Sequence, residues 1–193
     1  MINMIIISQN ITNYNFNIPE NAVFRINLAW INHIDDLKNL LNKHSMRKIF
    51  LDLPINRTKP PNNKYSFDNL ILIFEQFENI KYLAISNVTG PEDIQKYLKL
   101  TPSNITIVPK IESRLGIENI ESIINELRGG EKIIMLDHDD LYSDLIKNDI
   151  SSEQFSEYVN KLVEFCNKNK IELLRTIGVI FGDERKNVSN YVK

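Results

Sequence analysis

Several charged side chains of this sequence follow short apolar segments, in the position that residues at the end of a buried strand occupy. Lys110 and Glu112 follow the apolar segment 105–108, and Asp140 belongs to an acidic run after 133–136. Magnesium and manganese take hard oxygen ligands, typically one or two carboxylates together with water and substrate. Glu112 and Asp140 are therefore the predicted ligands of Mg²⁺ or Mn²⁺.

Basic side chains occupy the same kind of position. Arg25 lies in the apolar segment 23–28, and Arg57 follows the segment 49–53. Arginine binds phosphate or carboxylate through two parallel hydrogen bonds, whereas a lysine such as Lys110 acts as a compact point charge. Together with a metal, these groups suit a small, anionic, metal-chelating substrate.

Each of these positions also has an ordinary structural explanation, because polar residues commonly end a strand. Asp139 or Asp140 would cap a helix beginning near Leu141. Lys110 would be a solvated lysine at a strand end, and His138 a satisfied or exposed side chain. Three aromatic side chains are interpreted as packing residues: Trp30, Tyr82 and Tyr158.

The elements that must position these residues alternate along the chain. Apolar, β-branched segments predict seven strands, at 4–7, 23–28, 49–53, 82–85, 105–108, 133–136 and 173–180. Apolar residues at three- and four-residue spacing predict helices at 34–41, 67–77, 91–100, 117–127 and 155–165. Alternation of this kind implies parallel strands joined by right-handed crossovers, hence an α/β fold, either a barrel or an open doubly wound sheet.

The composition bounds the class of protein. The chain has 193 residues, 42% of them hydrophobic, which predicts a single domain over 1–193. The net charge of −2 without a basic stripe argues against nucleic acid and membrane partners. Cys166 is the single cysteine, which excludes a disulfide within the chain and favours a buried thiol. Residues 1–8 lack the features of a secretory signal and no segment is long enough to span a membrane, so we expect a cytoplasmic protein.

Five segments carry a more specific signal, at 24–28, 50–58, 108–120, 134–141 and 175–176. They contain, in order, an arginine-x-asparagine strand, an aspartate strand followed by arginine-threonine, a lysine-isoleucine-glutamate segment, an acidic turn ending in aspartate-leucine, and a final threonine. This order resembles the pyruvate kinase family over nearly the whole chain. The segment 108–120 is the most specific match.

The resemblance implies a TIM-type (β/α) barrel, shortened or incomplete, with about seven strands. It also implies roles for individual residues. Glu112 and Asp140 would hold the metal, and Lys110 would stabilise an enolate and a transferring phosphoryl group. Arg25 would contact phosphate, Thr176 would lie near the protonated face of the enolate, and Asn27 and Asp52 would help bind a monovalent cation. Asn27 and Asp52 join Arg25 and Arg57 as the expected substrate-binding set. The implied function is a divalent-metal-dependent enzyme acting on phosphoenolpyruvate, pyruvate or a related oxo-acid through a metal-stabilised enolate, by phosphotransfer or by aldol or lyase chemistry.

The sequence also departs from that family. The lid domain after the third strand is replaced by the segment 58–66, and a serine-histidine-glycine run is replaced by residues 29–31. Asp139 stands where the family has a glycine, and the sequence pattern predicts no eighth strand after the seventh. The alternative is therefore a catalytically degenerate relative that serves as a metabolite- or protein-binding subunit. An open barrel edge further predicts a homo-oligomer or a partner chain that covers it.

Overall fold

The strands of this chain form one parallel sheet in the order of the sequence. The computed structural model describes residues 4, 6–8, 19–55 and 66–175. The strands are β1 (Ile6–Ser8), β2 (Val23–Asn27), β3 (Ile49–Leu53), β4 (Ile80–Ile85), β5 (Thr106–Ile111), β6 (Ile133–Leu136) and β7 (Glu172–Arg175). Each strand pairs in parallel with the next one along the chain. The predicted α/β fold with seven parallel strands is confirmed.

Helices connect most of these strands. They are α1 (Ile34–Lys43), α2 (Phe67–Gln76), α3 (Glu92–Leu100), α4 (Arg114–Glu118), α5 (Ile120–Glu126), α6 (His138–Lys147) and α7 (Phe155–Asn169). Local signals explain their starts: Ser66 and Asn69 form a capping box before α2, and the Ser113 side chain accepts from the Gly116 amide at the start of α4.

Two helix predictions were wrong in detail. The predicted helix 117–127 is two helices, because α4 ends and α5 begins around Asn119. The second is a helix after the sixth strand, expected to begin near Leu141 behind a cap at Asp139 or Asp140. The structure has α6 there, and it begins at His138 rather than near Leu141. The cap is Asp137, and Asp139 and Asp140 lie in the first turn, where acidic residues are common.

The outward face of the sheet is covered by the helices. The strand side chains on this face include Phe24, Ile26 and Leu51. They pack with helix residues such as Leu37 and Leu70 in one buried cluster. Side chains alternate between the two faces of a strand, so this packing leaves every second strand residue for the opposite face. All of β3 is buried, as expected for a strand covered on both sides.

The inward face carries a second cluster that is built from strand residues and Met4. It contains residues of all seven strands: Ile6, Val23, Phe50, Tyr82, Ala84, Val108, Ile133, Met135 and Leu174. In a flat sheet the first and last of seven strands would lie roughly 29 Å apart, far beyond the reach of a hydrogen bond. The Met4 amide also donates to Glu172 Oε1 at 3.3 Å, which joins the starts of the first and last strands. The sheet is therefore curled, as in an incomplete barrel.

Two further expectations concern burial. Cys166 is fully buried in the outer cluster, as its position in an apolar helix pattern predicted. Trp30 is not a packing residue: it follows β2 in a short 3-10 helix, Leu28–Trp30, and is 59% exposed. In the part of the chain that the structure describes, no helix combines the length and apolar character needed to cross a membrane.

Candidate functional site

A layer of polar side chains lies on the inner face, next to the apolar inner cluster. The alternation of strand side chains explains this placement, because each polar residue lies two positions after a member of that cluster. The pairs are Val23 and Arg25, Phe50 and Asp52, Ala84 and Ser86, Val108 and Lys110, and Met135 and Asp137. The polar layer therefore lies toward the carboxyl ends of the strands, where α/β proteins bind their ligands.

Four charged side chains form an ion-pair cluster in this layer. Lys110 Nζ lies 2.6 Å from Glu112 Oε1, 3.6 Å from Asp52 Oδ1 and 3.3 Å from Ser86 Oγ. The other carboxylate oxygen of Asp52 accepts hydrogen bonds from Nε and Nη2 of Arg25. Lys110, Glu112 and Asp52 are buried, whereas Arg25 is partly exposed. The interpretation of Lys110 as a solvated lysine is therefore wrong.

Burial and neighbouring charges move the pKa values of these groups. Burial alone would raise the pKa of Asp52, but Lys110 and Arg25 outweigh it, so that pKa is lowered. Burial would lower the pKa of Lys110, but Asp52 and Glu112 raise it above its ordinary value. The pKa of Glu112 is raised, because burial outweighs the effect of Lys110 and of the Asn87 amide. Lys110 is consequently a cation at neutral pH.

A group of three carboxylates adjoins this cluster. One oxygen from each of Glu112, Asp137 and Asp140 lies within 4.8 Å of the others. Two ligands on opposite sides of one Mg²⁺ are about 4.2 Å apart, so small side-chain movements would bring these oxygens around a single ion. Hard oxygen donors also suit Mg²⁺ or Mn²⁺ better than softer metals. The residues present therefore fit a divalent cation, as the sequence predicted for Glu112 and Asp140.

The start of α6 arranges two of these carboxylates. Asp137 is its N-cap, and its side chain accepts from the Asp140 amide at 3.4 Å. The Asp137 amide itself donates to the Ile111 carbonyl at 3.2 Å, which holds the start of α6 beside the end of β5. The burial of the three carboxylates decreases from Glu112 to Asp140, which is exposed. One side of the group is thus open to water or to a substrate.

The other sequence-predicted residues are placed as follows. The Asn27 side chain accepts from the Ala29 amide at 3.0 Å and caps the short 3-10 helix after β2. Asp139 is exposed at the start of α6 and does not belong to the carboxylate group. His138 lies beside the ring of Phe155. The predicted site residues Arg57 and Thr176 lie outside the described residues.

Three residues of this site are not among the site residues predicted from the sequence: Ser86, Asn87 and Asp137. Side chains two positions apart on a strand share a face, so Ser86 and Asp137 follow Ala84 and Met135 onto the inner face of the sheet. Asn87 follows a strand and has a left-handed backbone with φ 54°, which the sequence pattern does not reveal.

The fold and the site together define an α/β protein whose curled parallel sheet carries an ion-pair cluster and a candidate divalent-metal centre. No protein-family model and no curated protein matches this sequence. Among solved structures, the chain is similar to RipC from Yersinia pestis, with a TM-score of 0.58 and 17% sequence identity over 83% of this chain and 72% of that one. At this identity the likeness shows a shared fold and carries no statement about activity.

Proposed function

We propose that this protein is a divalent-metal-dependent enzyme that acts on pyruvate, phosphoenolpyruvate or a related oxo-acid through an enolate, on a shortened TIM-type barrel related to pyruvate kinase. The observation that carries the proposal is the buried ammonium group of Lys110, 2.6 Å from Glu112 in the candidate metal centre. Buried ionisable groups with a specific charge partner are concentrated at functional sites, and Glu112 links Lys110 to the candidate metal centre. The order of residues in the sequence supports the same class of enzyme.

Lys110 would stabilise negative charge on the substrate rather than remove a proton. Its raised pKa keeps it charged at neutral pH, so it is poorly suited to act as a general base. Asp52 and Ser86 hold it in position, so that the charge needs little reorganisation when an enolate forms. Glu112, Asp137 and Asp140 would hold Mg²⁺ or Mn²⁺, and the bound metal would supply Lewis-acid polarisation of a substrate oxygen.

Arg25 would bind the anionic end of the substrate. Its guanidinium is held by Asp52 but remains partly exposed, with 19% of the side chain accessible. Arginine presents several donors in a fixed plane, so donors that Asp52 does not use can bind a carboxylate or phosphate. Arg25 and the candidate metal centre would then contact different parts of one small anion.

The reaction we favour makes or breaks a carbon–carbon bond, or exchanges a proton, next to a carbonyl. The chain has only residues 54–66 between β3 and α2, far too few for a separate domain that closes over a nucleotide. Phosphoryl transfer depends on clamping the phosphates and excluding water, for which these residues provide no domain. Enolate chemistry on an oxo-acid needs no nucleotide.

The metal centre is tested by calorimetric titration of the metal-free protein with Mn²⁺, alone and with oxalate as a mimic of the enolate. We expect wild-type protein to bind Mn²⁺, oxalate to tighten binding, and Glu112→Gln to abolish it. Glu121→Gln makes the same change at an exposed site on α5 and should bind like the wild type. Absence of Mn²⁺ binding by the wild type would refute the proposed metal centre.

The chemistry is tested by following deuterium exchange into the methyl group of pyruvate by NMR, with Mg²⁺ present. We expect exchange with the wild type and a loss of about 100- to 1,000-fold with Lys110→Met, which keeps the apolar stem but removes the charge. Circular dichroism of Lys110→Met would verify that it is folded. Tight Mn²⁺ and oxalate binding without exchange would instead support a metabolite-binding subunit.

A further inference from the structure

Three residues other than glycine have a left-handed backbone in the described part of the chain: Asn87, Asp149 and Lys170. Asp149 and Lys170 both lie at the end of a helix, where this conformation is common. Their amides donate to helix carbonyls, Asp149 to Ile146 at 3.2 Å and Lys170 to Asn167 at 3.4 Å. Helix termination explains both of them.

Asn87 is different, because it follows a strand and its amide donates to a side chain. The Asn87 amide lies 2.6 Å from Glu112 Oε2, while Lys110 binds the other oxygen of the same carboxylate. Both oxygens of this buried candidate ligand are therefore held, one by a charge and the other by a backbone donor. A carboxylate held in this way keeps one orientation.

The conformation of Asn87 is fixed from several sides. Its Nδ2 donates to the Ile55 carbonyl at 2.5 Å, and the next amide, of Val88, donates to the Lys110 carbonyl at 3.2 Å. A Cβ atom at Gly116 would lie 2.6 Å from the Val88 carbonyl oxygen, which shows how closely α4 approaches this loop. A residue keeps an unfavourable backbone conformation only where several surrounding contacts hold it there, and such residues cluster at functional sites.

We propose that Asn87 is a positioning residue, whose left-handed backbone directs its amide to Glu112 and thereby orients that carboxylate for the divalent metal. This inference rests on the proposed metal centre and adds a residue to it. Partners that orient the ligands of a metal typically change its affinity by about 10- to 100-fold when they are lost. Asparagine suits the position because its side chain tolerates the left-handed region better than most residues do.

The test compares Mn²⁺ affinity, measured by calorimetry, in two substitutions at this position. Asn87→Val strongly disfavours the left-handed backbone, so we expect affinity to fall by about 10-fold or more. Asn87→Gly keeps that backbone and should retain affinity close to that of the wild type. Asp149→Val imposes the same strain at the far end of α6, about 15 Å from its start, and should leave Mn²⁺ affinity unchanged. If Asn87→Val does not fold, Asn87→Ala takes its place.

A second measurement tests the hydrogen bond without metal. In the amide NMR spectrum of the metal-free protein, the Asn87 proton should move upfield when Glu112→Ala removes its acceptor, while the amides of Asp149 and Lys170 stay in place. Three results would overturn the role of Asn87 without affecting the proposed metal centre. They are equal Mn²⁺ affinity in wild type and Asn87→Val, equal losses of affinity in Asn87→Val and Asn87→Gly, and an Asn87 amide proton that does not move. A wild-type protein without Mn²⁺ binding would overturn the proposed metal centre as well.

Discussion

Asp52 shows how a buried charge can be kept in this protein. It is 1% exposed, and its two oxygens face two different cations, Arg25 and Lys110. Removing one member of a buried ion pair is strongly destabilising, because the remaining charge is left without compensation. Asp52 therefore determines both the stability of the polar layer and the position of the two cations that we assign to substrate.

We predict that Asp52→Asn lowers the free energy of unfolding by about 3–5 kcal/mol at neutral pH, measured by urea denaturation. The matched control is Glu118→Gln, which removes the carboxylate of an exposed ion pair with Arg114. Exposed pairs contribute little, so this variant should unfold like the wild type. Equal stability of Asp52→Asn and wild type would show that the two cations do not depend on Asp52.

The pH dependence of this effect has a definite sign. The folded-state pKa of Asp52 is lowered from its ordinary value of 3.8, so its carboxylate stabilises the fold at every pH above that value. This contribution is lost as pH falls below 3.8 and through the lower folded-state pKa. The difference in stability between wild type and Asp52→Asn should therefore be constant near neutral pH and shrink in acid.

At the scale of elements, α4 packs closely against the loop after β4. Gly116 is buried in α4, and a Cβ atom there would lie 2.6 Å from the Val88 carbonyl oxygen. We predict that Gly116→Ala lowers the free energy of unfolding by about 1–3 kcal/mol despite the higher helix propensity of alanine. Thermal unfolding followed by circular dichroism would measure this.

Gly130 provides the control for that substitution. A Cβ atom at Gly130 has no neighbour within 4 Å, so Gly130→Ala introduces no clash. Its stability should be unchanged or slightly raised, since alanine has fewer unfolded conformations than glycine. If both variants lose the same stability, contact with Val88 is not the reason for glycine at position 116.

The elements were largely predictable from the sequence, whereas the connections between them were less so. Largely apolar runs such as Ile49–Leu53 and Ile133–Leu136 predicted strands at the observed bounds, because a strand covered on both faces is made mostly of apolar residues. The start of α6 was predicted near Leu141 because Asp137, Asp139 and Asp140 are all suitable caps, and the pattern does not show that Asp137 is the one used. The contact between Glu112 and Asn87 could not be predicted, since it depends on a single backbone angle in a loop.

At the scale of the whole molecule, the inner cluster is what turns seven strands into one unit. Phe50 is fully buried in this cluster, and its ring lies 6.0 Å from that of Tyr82 on the next strand. Residues of β1 and β7 belong to the same cluster, so the first and last strands depend on the same packing. The charged layer that holds Lys110 lies directly above it and needs this support.

We therefore predict that Phe50→Ala lowers the free energy of unfolding by about 3–5 kcal/mol, from lost burial and the cavity that remains. The slope of that free energy with urea should not change, because the strands still unfold together. Far-ultraviolet circular dichroism would follow the strands and helices, and the near-ultraviolet signal of the tyrosines would follow the packing around Tyr82; the two curves should coincide. Leu72→Ala, at a site on α2 that is 61% exposed, should leave both curves in place. Separate transitions in Phe50→Ala would mean that the first and last strands do not form one cooperative unit with the rest of the sheet.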